Sequence, residues 1–371
     1  MVDTRLRKRG TKNGRDVWTA VIPVANGPDG KRRRHRFTFV GNKTDAGKAL
    51  LARQNQIAHG QLVAPERMTF GQYLDRWLAS PPTTYARTTH ERFESIANIH
   101  LKPVLGTIPL QKLSGAHLRG AYAQWRETLS AQTVVHHHRL IHRVLGTAVE
   151  ENLVGQNVAI FKRADRPKAP RPEVRFLSKD EIAKLLSVAQ QTPLWLLIVL
   201  ALATGARRGE LAGLKWIDVN FDRGTIAIRR ALVETKAGIS EKTPKNGKSR
   251  VLPLPSTVVE LLRRHPESVR SSFDYVFPGP SGGPWPPEKI TIAFRMLCRK
   301  ARIAGACFHS LRHTAATQML ELEIPPKIVQ ERLGHSTIAI TMDLYSHATP
   351  SLQSEAALRI DKILGPLIRR S

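Results

Sequence analysis

Residues Ala164–Arg175 (ADRPKAPRPEVR) place three prolines among basic residues with no apolar period. Proline at that density disfavours helix and cannot donate to a sheet ladder, so the stretch reads as an extended connector. No single hydrophobic core can run through it. A second break falls around Ala64–Arg67, ahead of a helical pattern that begins at Phe70. A chain of 371 residues has length for two or three domains. The breaks predict three: residues 1–62, 67–165 and 173–371. The fold class expected is multidomain α+β. It comprises a small sheet-plus-helix N-terminal domain, an all-helical middle domain, and a mainly α C-terminal domain with a small antiparallel sheet.

Charge says what such modules would hold. The chain carries 58 Lys+Arg against 30 Asp+Glu, a net of +28, with 41% hydrophobic residues. That much apolar content excludes a chain disordered throughout. The surplus is spread: 14 basic and 4 acidic residues over 1–60, 15 and 8 over 61–172, 29 and 18 over 173–371. Three basic modules on extended linkers suit wrapping a polyanion, with affinity gained by linked contacts. Two cysteines, Cys298 and Cys307, exclude a disulfide framework or a four-cysteine zinc site and suit a reducing cytoplasm. The longest apolar run, Leu194–Ala203, is far short of the ~20 residues of a membrane span, and the basic N-terminus has no apolar signal core. The expectation is a soluble cytoplasmic protein that makes no membrane contact and acts on nucleic acid.

In the first module Val17–Val24 and Arg34–Val40 have strand-forming residues around the turn-rich stretch Asn26–Gly30, and a helix runs from Thr44 to about His59. The run Lys31, Arg32, Arg33, Arg34, His35, Arg36 either guards a sheet edge or contacts DNA phosphates; its charge density favours DNA. The second module predicts helices over Phe70–Leu78, Thr84–His100, Gly115–Leu129 and Ala131–Glu150, with a loop over Leu101–Leu113. His136, His137, His138 and His142 point in several directions around a helix and cannot all face one ion, so they read as surface or DNA-facing residues and not as metal ligands.

After the proline connector, Ser178 and Glu181 form a capping box ahead of the stripe Ile182, Leu185, Leu186 and Ala189. An apolar helix, Pro193–Ala203, should close at Gly205 in the left-handed conformation and present Arg207, Arg208 and Glu210 before a second helix to about Lys215. Arg207 then either awaits an anion or pairs with Glu210. Trp216–Val219, Thr225–Val233 and Ser249–Leu254 read as a small sheet whose last two strands are joined by the lysine-rich stretch Glu241–Lys248. His309, Arg312 and His313 share a helical face. Ser310 replaces the glutamate of a zinc protease motif, and the fixed cation Arg312 opposes a metal, so this face suits phosphate. His335 follows a short helix, and Tyr345 lies ten residues on. Alone, each of these is an ordinary polar or core residue.

As an ordered set, the stretches Thr204–Leu211, His309–Thr314, Leu333–Ser336 and Met342–His347, with the lysine hairpin, resemble the tyrosine recombinase family, the phage-integrase group in particular. The three-module plan resembles that of the larger integrases: an arm-type DNA-binding module, a helical SAM-like core-binding module and a catalytic domain. The resemblance implies a site-specific recombinase that forms a covalent 3′-phosphotyrosine through Tyr345. It implies that Arg207 and Arg312 clamp the phosphate, that His335 donates to it and that His309 handles the tyrosine proton. A hairpin lysine protonates the departing 5′-oxygen; Lys245 fits the family pattern, with Lys242 and Lys248 as alternatives. Glu210 would orient the site through a histidine or Arg207. No metal and no cofactor are implied. The implied partners are double-stranded attachment sites, three further protomers, and accessory DNA-bending or directionality proteins. The apolar tail Leu352, Ala356, Leu358, Ile360, Ile363 and Leu364 either packs on its own domain or docks on a neighbouring protomer. Two other readings use the same residues: a DNA-relaxing enzyme with the same tyrosine chemistry, and a DNA-binding regulator that keeps the fold without activity.

Overall fold

The computed structural model describes residues 5–24, 33–58, 67–80, 85–160, 166–170, 174–243, 249–265, 274–342, 358, 360–362 and 364; at Val24, Arg33 and 56–58 it describes the backbone alone. The chain divides into two compact units, Met1–Arg171 and Pro172–Ser371.

The first unit opens with a three-stranded antiparallel sheet of β1 (Arg7–Lys12), β2 (Arg15–Val24) and β3 (Arg33–Val40), in that order, followed by helix α1 (Lys43–Ala58). Alternation sets its two faces: Ala20, Ile22 and Phe37 pack with Leu50 of α1, while Arg34 and Arg36 are exposed on the other side of β3. Strand β1 is absent from the sequence expectation. Every residue in it is exposed, so it has no apolar alternation; backbone pairing, with an ion pair from Lys8 to Asp16 (2.7 Å), holds it on the sheet edge. The signal that reveals it is Asn13-Gly14, both at positive φ (51° and 74°), a hairpin turn between charged strands.

The helical core follows, with α2 (Phe70–Ala79), α3 (Arg87–Ile96), α4 (Lys102–Leu105), α5 (Gly115–Thr128) and α6 (Ala131–Glu150). The capping box of Thr69 and Gln72 starts α2 and turns Phe70, Tyr73, Leu74 and Trp77 into the core. Where a loop is expected from Leu101, the helix instead continues through a wide turn, Ala97–Leu101, into α4. Buried Leu101 and Leu105 account for this, because each follows the apolar face of α3 inward.

Two of the four α6 histidines are not surface residues. His137 is 0% and His138 8% exposed. His138 shares a 2.8 Å hydrogen bond with the Tyr122 hydroxyl, and His137 lies between the rings of His100 (4.6 Å) and Trp125 (4.8 Å). The 3.6-residue period that keeps the four histidines from meeting one ion also turns this pair into the core. Loss of water around the ring, with His100 and His136 nearby, pulls the His137 imidazole down to about 4. Burial, with His142, Arg166 and Arg139, does the same to His138. Both rings are neutral at pH 7. The unfolded chain therefore binds more protons between pH 4 and 6.5, and stability falls as pH drops through that window, by about 1.4 kcal/mol per unit per histidine. The melting midpoint should be flat from pH 7 to 8 and fall below 6.5, with a shallower acid limb in His137→Leu. Equal acid limbs in the two proteins would rule this account out.

The second unit is mainly helical: α7 (Lys179–Ala189), α8 (Leu194–Thr204), α9 (Arg208–Ala212), α10 (Ser256–Arg263), α11 (Pro287–Lys300), α12 (Phe308–Glu321) and α13 (Pro326–Leu333). The Ser178–Glu181 capping box forms as expected, and Leu185 and Ala189 of α7 are fully buried. Helix α8 is apolar on nearly all sides and sits in the largest core. Helix α9 ends at Ala212, three residues short of the expected stop, because the chain turns at Gly213. The expected single sheet is two. Strands β4 (Val219–Asn220), β5 (Thr225–Ile228) and β8 (Arg250–Pro253) form one, and β6 (Ala231–Thr235) with β7 (Gly238–Lys242) forms a separate hairpin. Arg229 and Arg230 interrupt the expected strand 225–233 by pairing with the buried carboxylate of Asp218, which takes them out of the alternation. The lysine-rich stretch thus connects β7 to β8. Among the described residues no helix is long and apolar enough to cross a membrane, and Leu358, Ile360 and Leu364 of the tail are exposed.

Candidate phosphate-binding site

Three chain turns converge in the second unit. The first is the α8–α9 junction. Gly205 stands at φ +64°, where a side chain would be strained, and a Cβ there would lie 2.3 Å from Leu333 of α13. The turn puts Arg207 at the start of α9, where its amide donates to Glu210 Oε2 (2.9 Å). The second is the N-terminal end of α12, whose first two turns carry His309, Arg312 and His313. The third is the end of α13, closed by Gly334 at φ +66° and followed at once by His335.

Side chains knit the three together. Arg207 donates through Nη1 to Glu210 Oε1 (2.9 Å) and through Nη2 to the Gly334 carbonyl (3.1 Å). Arg312, 4% exposed, donates through Nη1 to the Gly205 carbonyl (2.8 Å). Its Nη2 is buried with no hydrogen-bond partner among the described residues. His335 shares a 2.9 Å bond between Nδ1 and the Thr341 hydroxyl, which leaves Nε2 as the nitrogen for another task. The Glu210 pairing expected of Arg207 is present, yet it is not a surface pair: Glu210 is 1% exposed.

Arg207, His309 and Arg312 line one pocket of about 380 Å³, together with Arg208, Thr291 and Cys307. Its electrostatics are one-sided. Burial opposes the Glu210 charge, but hydrogen bonds and charge from Arg250, and the Arg207 amide and guanidinium, hold its carboxyl below the usual carboxylate range. Burial, then Arg207 and Arg250, pull the Arg312 guanidinium down to about 9 against the opposing pull of Glu210; it stays charged at pH 7. His309 stands open at the surface on one side, while its inner edge packs against His313 (4.6 Å). Desolvation of that edge, with His313, Arg312 and Arg207, pulls its imidazole down to about 4. His335 falls to about 4 through burial and the charges of Arg312 and Arg207. Two neutral imidazoles beside one buried and one half-buried guanidinium describe a site that suits an anion.

Sequence reasoning named Arg207, Glu210, His309, Arg312 and His335, and packing brings them together. Lys245 and Tyr345 lie outside the described residues; Lys242 is the last residue of β7 and pairs with Ala231. In the first unit Lys31 and Arg32 lie outside the described residues, as does the side chain of Arg33. Two contributors were missed. Thr341 gives no pattern a single sequence could show. Arg250 does: it shares a strand face with buried Leu252, and an arginine on an inward face requires a buried acid.

The comparisons with known proteins agree with this geometry. Residues 175–351 match the phage integrase family, and residues 69–126 match the N-terminal SAM-like domain of phage integrases. The chain is 26% identical over 382 residues to a XerC-like tyrosine recombinase of Caldanaerobacter subterraneus, covering 93% of this chain and 96% of that one. It is 30% identical over 249 residues to tyrosine recombinase XerC of Xanthomonas campestris, covering 65% and 72%. Its fold is similar to that of the Tn1549 transposon integrase solved with a circular intermediate DNA, with a TM-score of 0.70 at 21% identity over 79% of this chain and 99% of that one. Motif order, the match across the second unit and the identity to a XerC recombinase together make this chain a member of the phage integrase family of tyrosine recombinases, and a site-specific DNA recombinase.

Proposed function

We propose that this recombinase breaks and rejoins DNA at its attachment sites by transesterification through Tyr345. The Tyr345 hydroxyl attacks the scissile phosphorus. A bond forms between the phenolic oxygen and phosphorus, and the bond from phosphorus to the 5′-oxygen breaks, leaving a 3′-phosphotyrosine and a 5′-hydroxyl. His309, neutral at pH 7, takes the phenolic proton, and Lys245 supplies one to the departing oxygen. Arg207 and Arg312 hold the non-bridging oxygens, where charge grows in the transition state, and His335 donates to one of them. The observation that carries this reading is the buried Nη2 of Arg312, which has no partner among the described residues, in a pocket shared with Arg207 and His309. A guanidinium so placed is costly until an oxyanion binds it.

The phosphotyrosine keeps the bond energy of the phosphodiester, so the 5′-hydroxyl of a partner strand can reverse the step without ATP. The arginines supply the charge neutralisation a metal would bring, so the reaction runs with no metal or cofactor. Exchange between two duplexes breaks four strands with one tyrosine per protomer, which calls for a homotetramer on DNA. Residues 1–62 hold arm-type sites, with Arg34 and Arg36 of the open sheet face and neighbouring Lys31, Arg32 and Arg33 against the phosphates. Residues 67–165 grip the core site. The protein works in the cytoplasm on the host nucleoid, integrating or excising a mobile element, and accessory DNA-bending or directionality proteins select the direction.

A nicked duplex carrying the attachment site tests this reading. The wild-type protein should form a covalent adduct that Tyr345→Phe does not form, and should exchange strands between two sites. An adduct that persists in Tyr345→Phe, or none on the cognate site, would sink it.

A further inference from the structure

Behind Glu210, outside the lining of the phosphate pocket, stands a further arginine to which the recombinase motifs assign no part. Arg250 begins β8, directly after the lysine-bearing stretch of the chain. Its guanidinium is engaged through all three nitrogens. Nη2 donates to Glu210 Oε2 at 2.7 Å, Nη1 to Glu210 Oε1 at 3.2 Å, and Nε to the Arg332 carbonyl at 2.9 Å. The first two form a parallel pair on a carboxylate buried to 1% exposure, the strongest geometry an arginine offers. That carboxylate also receives the amide and Nη1 of Arg207, whose Nη2 reaches the Gly334 carbonyl. Glu210 and the carbonyls of residues 332 and 334 thus form one cradle in which Arg207 and Arg250 lie in fixed register. Gly334 belongs to it for lack of a side chain: a Cβ there would lie 3.0 Å from Arg250 Nη1.

Arg250 does not line the pocket that Arg207, His309 and Arg312 share. It can act on the phosphate only through Glu210, Arg207 and the turn that carries His335. Charge shows what that action is. Facing Glu210 alone, Arg207 would be neutralised by the very carboxylate that orients it. With Arg250 balancing Glu210, the positive charge of Arg207 is left for the phosphate, and Arg312 adds a second. Resting on the phosphoryl-transfer reading given above, we infer that Arg250 is a positioning residue: it compensates Glu210 so that Arg207 meets the scissile phosphate as an uncompensated cation in the correct place. Its effect falls on the chemical step, where phosphate charge grows, and little on DNA affinity, which the remaining basic residues supply.

The test uses the full-length protein and a nicked attachment-site duplex, made once with the natural scissile phosphate and once with an uncharged methylphosphonate in its place. Adduct formation is followed in single turnover for the wild type, Arg250→Met and Arg250→Lys. On the natural phosphate, Arg250→Met should cleave roughly 10- to 100-fold more slowly, with DNA affinity changed by no more than a few fold. Arg250→Lys, which keeps the charge and loses the paired fork, should fall between. On the methylphosphonate the need to neutralise charge is gone, so all three should cleave at rates within a few fold of one another. A partly unfolded variant would lose both substrates equally. Equal losses on the two substrates, or full activity of Arg250→Met on the natural one, would overturn the inference while the wild-type adduct through Tyr345 stands. Absence of that wild-type adduct would overturn the reading of the site, and this inference with it.

Discussion

Arg312→Met is expected to cleave the attachment site about 10²- to 10³-fold more slowly than the wild type, the loss typical of one fixed oxyanion donor. The free protein should show no matching loss of stability. Arg312 is 4% exposed, only its Nη1 is matched to a carbonyl, and Nη2 has no partner among the described residues. Burying a guanidinium so incompletely paired costs stability, and an apolar side chain of similar length removes that cost. The melting midpoint of Arg312→Met should therefore equal or exceed that of the wild type while activity collapses. Arg312→Lys should not restore the rate, because an ammonium cannot keep the Gly205 carbonyl and a phosphate oxygen in one planar fork. Single-turnover adduct formation and a thermal melt, run side by side, check both halves. Equal fractional losses of stability and rate would contradict the account.

Glu210→Ala should have the opposite signature. This carboxylate balances Arg207 and Arg250 at once, through contacts of 2.7 to 3.2 Å. Its removal leaves two guanidinium groups partly buried beside Arg312 with no anion among them. Breaking a buried ion pair by deleting one partner costs about 3–5 kcal/mol, which lowers the melting midpoint by roughly 10 °C in a unit of this size. Because the defect is an excess of cations, added phosphate or sulfate should recover part of the lost stability in the variant and raise the wild type less. A loss below about 1 kcal/mol in urea titration would show that the cradle does not hold the site together.

Arg312 and Glu210 also show how much of the site was legible. Arg207, Glu210, His309, Arg312 and His335 stand in short stretches whose spacing and order identify them. Local rules also placed the Ser178 capping box and the left-handed turn at Gly205, since each is settled within a few residues. Hidden features were those with no local pattern. Strand β1 is held by backbone pairing and shows no apolar period. His137 and His138 look polar but sit where the helix turns inward. Arg229 and Arg230 break a strand because Asp218, eleven and twelve residues earlier, is buried beside them.

By itself the sequence determined which chemical groups this protein has and in what order: a basic surplus that selects a polyanion, two arginines and two histidines in recombinase motifs, and a tyrosine at their end. Those follow from composition and spacing, which survive in any conformation. What only the tertiary structure decided is which charge each group meets. Glu210 finds Arg250 across 40 residues of chain, Arg312 finds the Gly205 carbonyl across 107, and Arg207 the Gly334 carbonyl across 127. Charge pairing depends on distance and lost hydration, and both are set by how α9 and β8 pack into the largest core while α13 packs on α12 in a second one. That packing leaves Arg312 with an Nη2 that has no partner among the described residues, the donor proposed here for a phosphate oxygen.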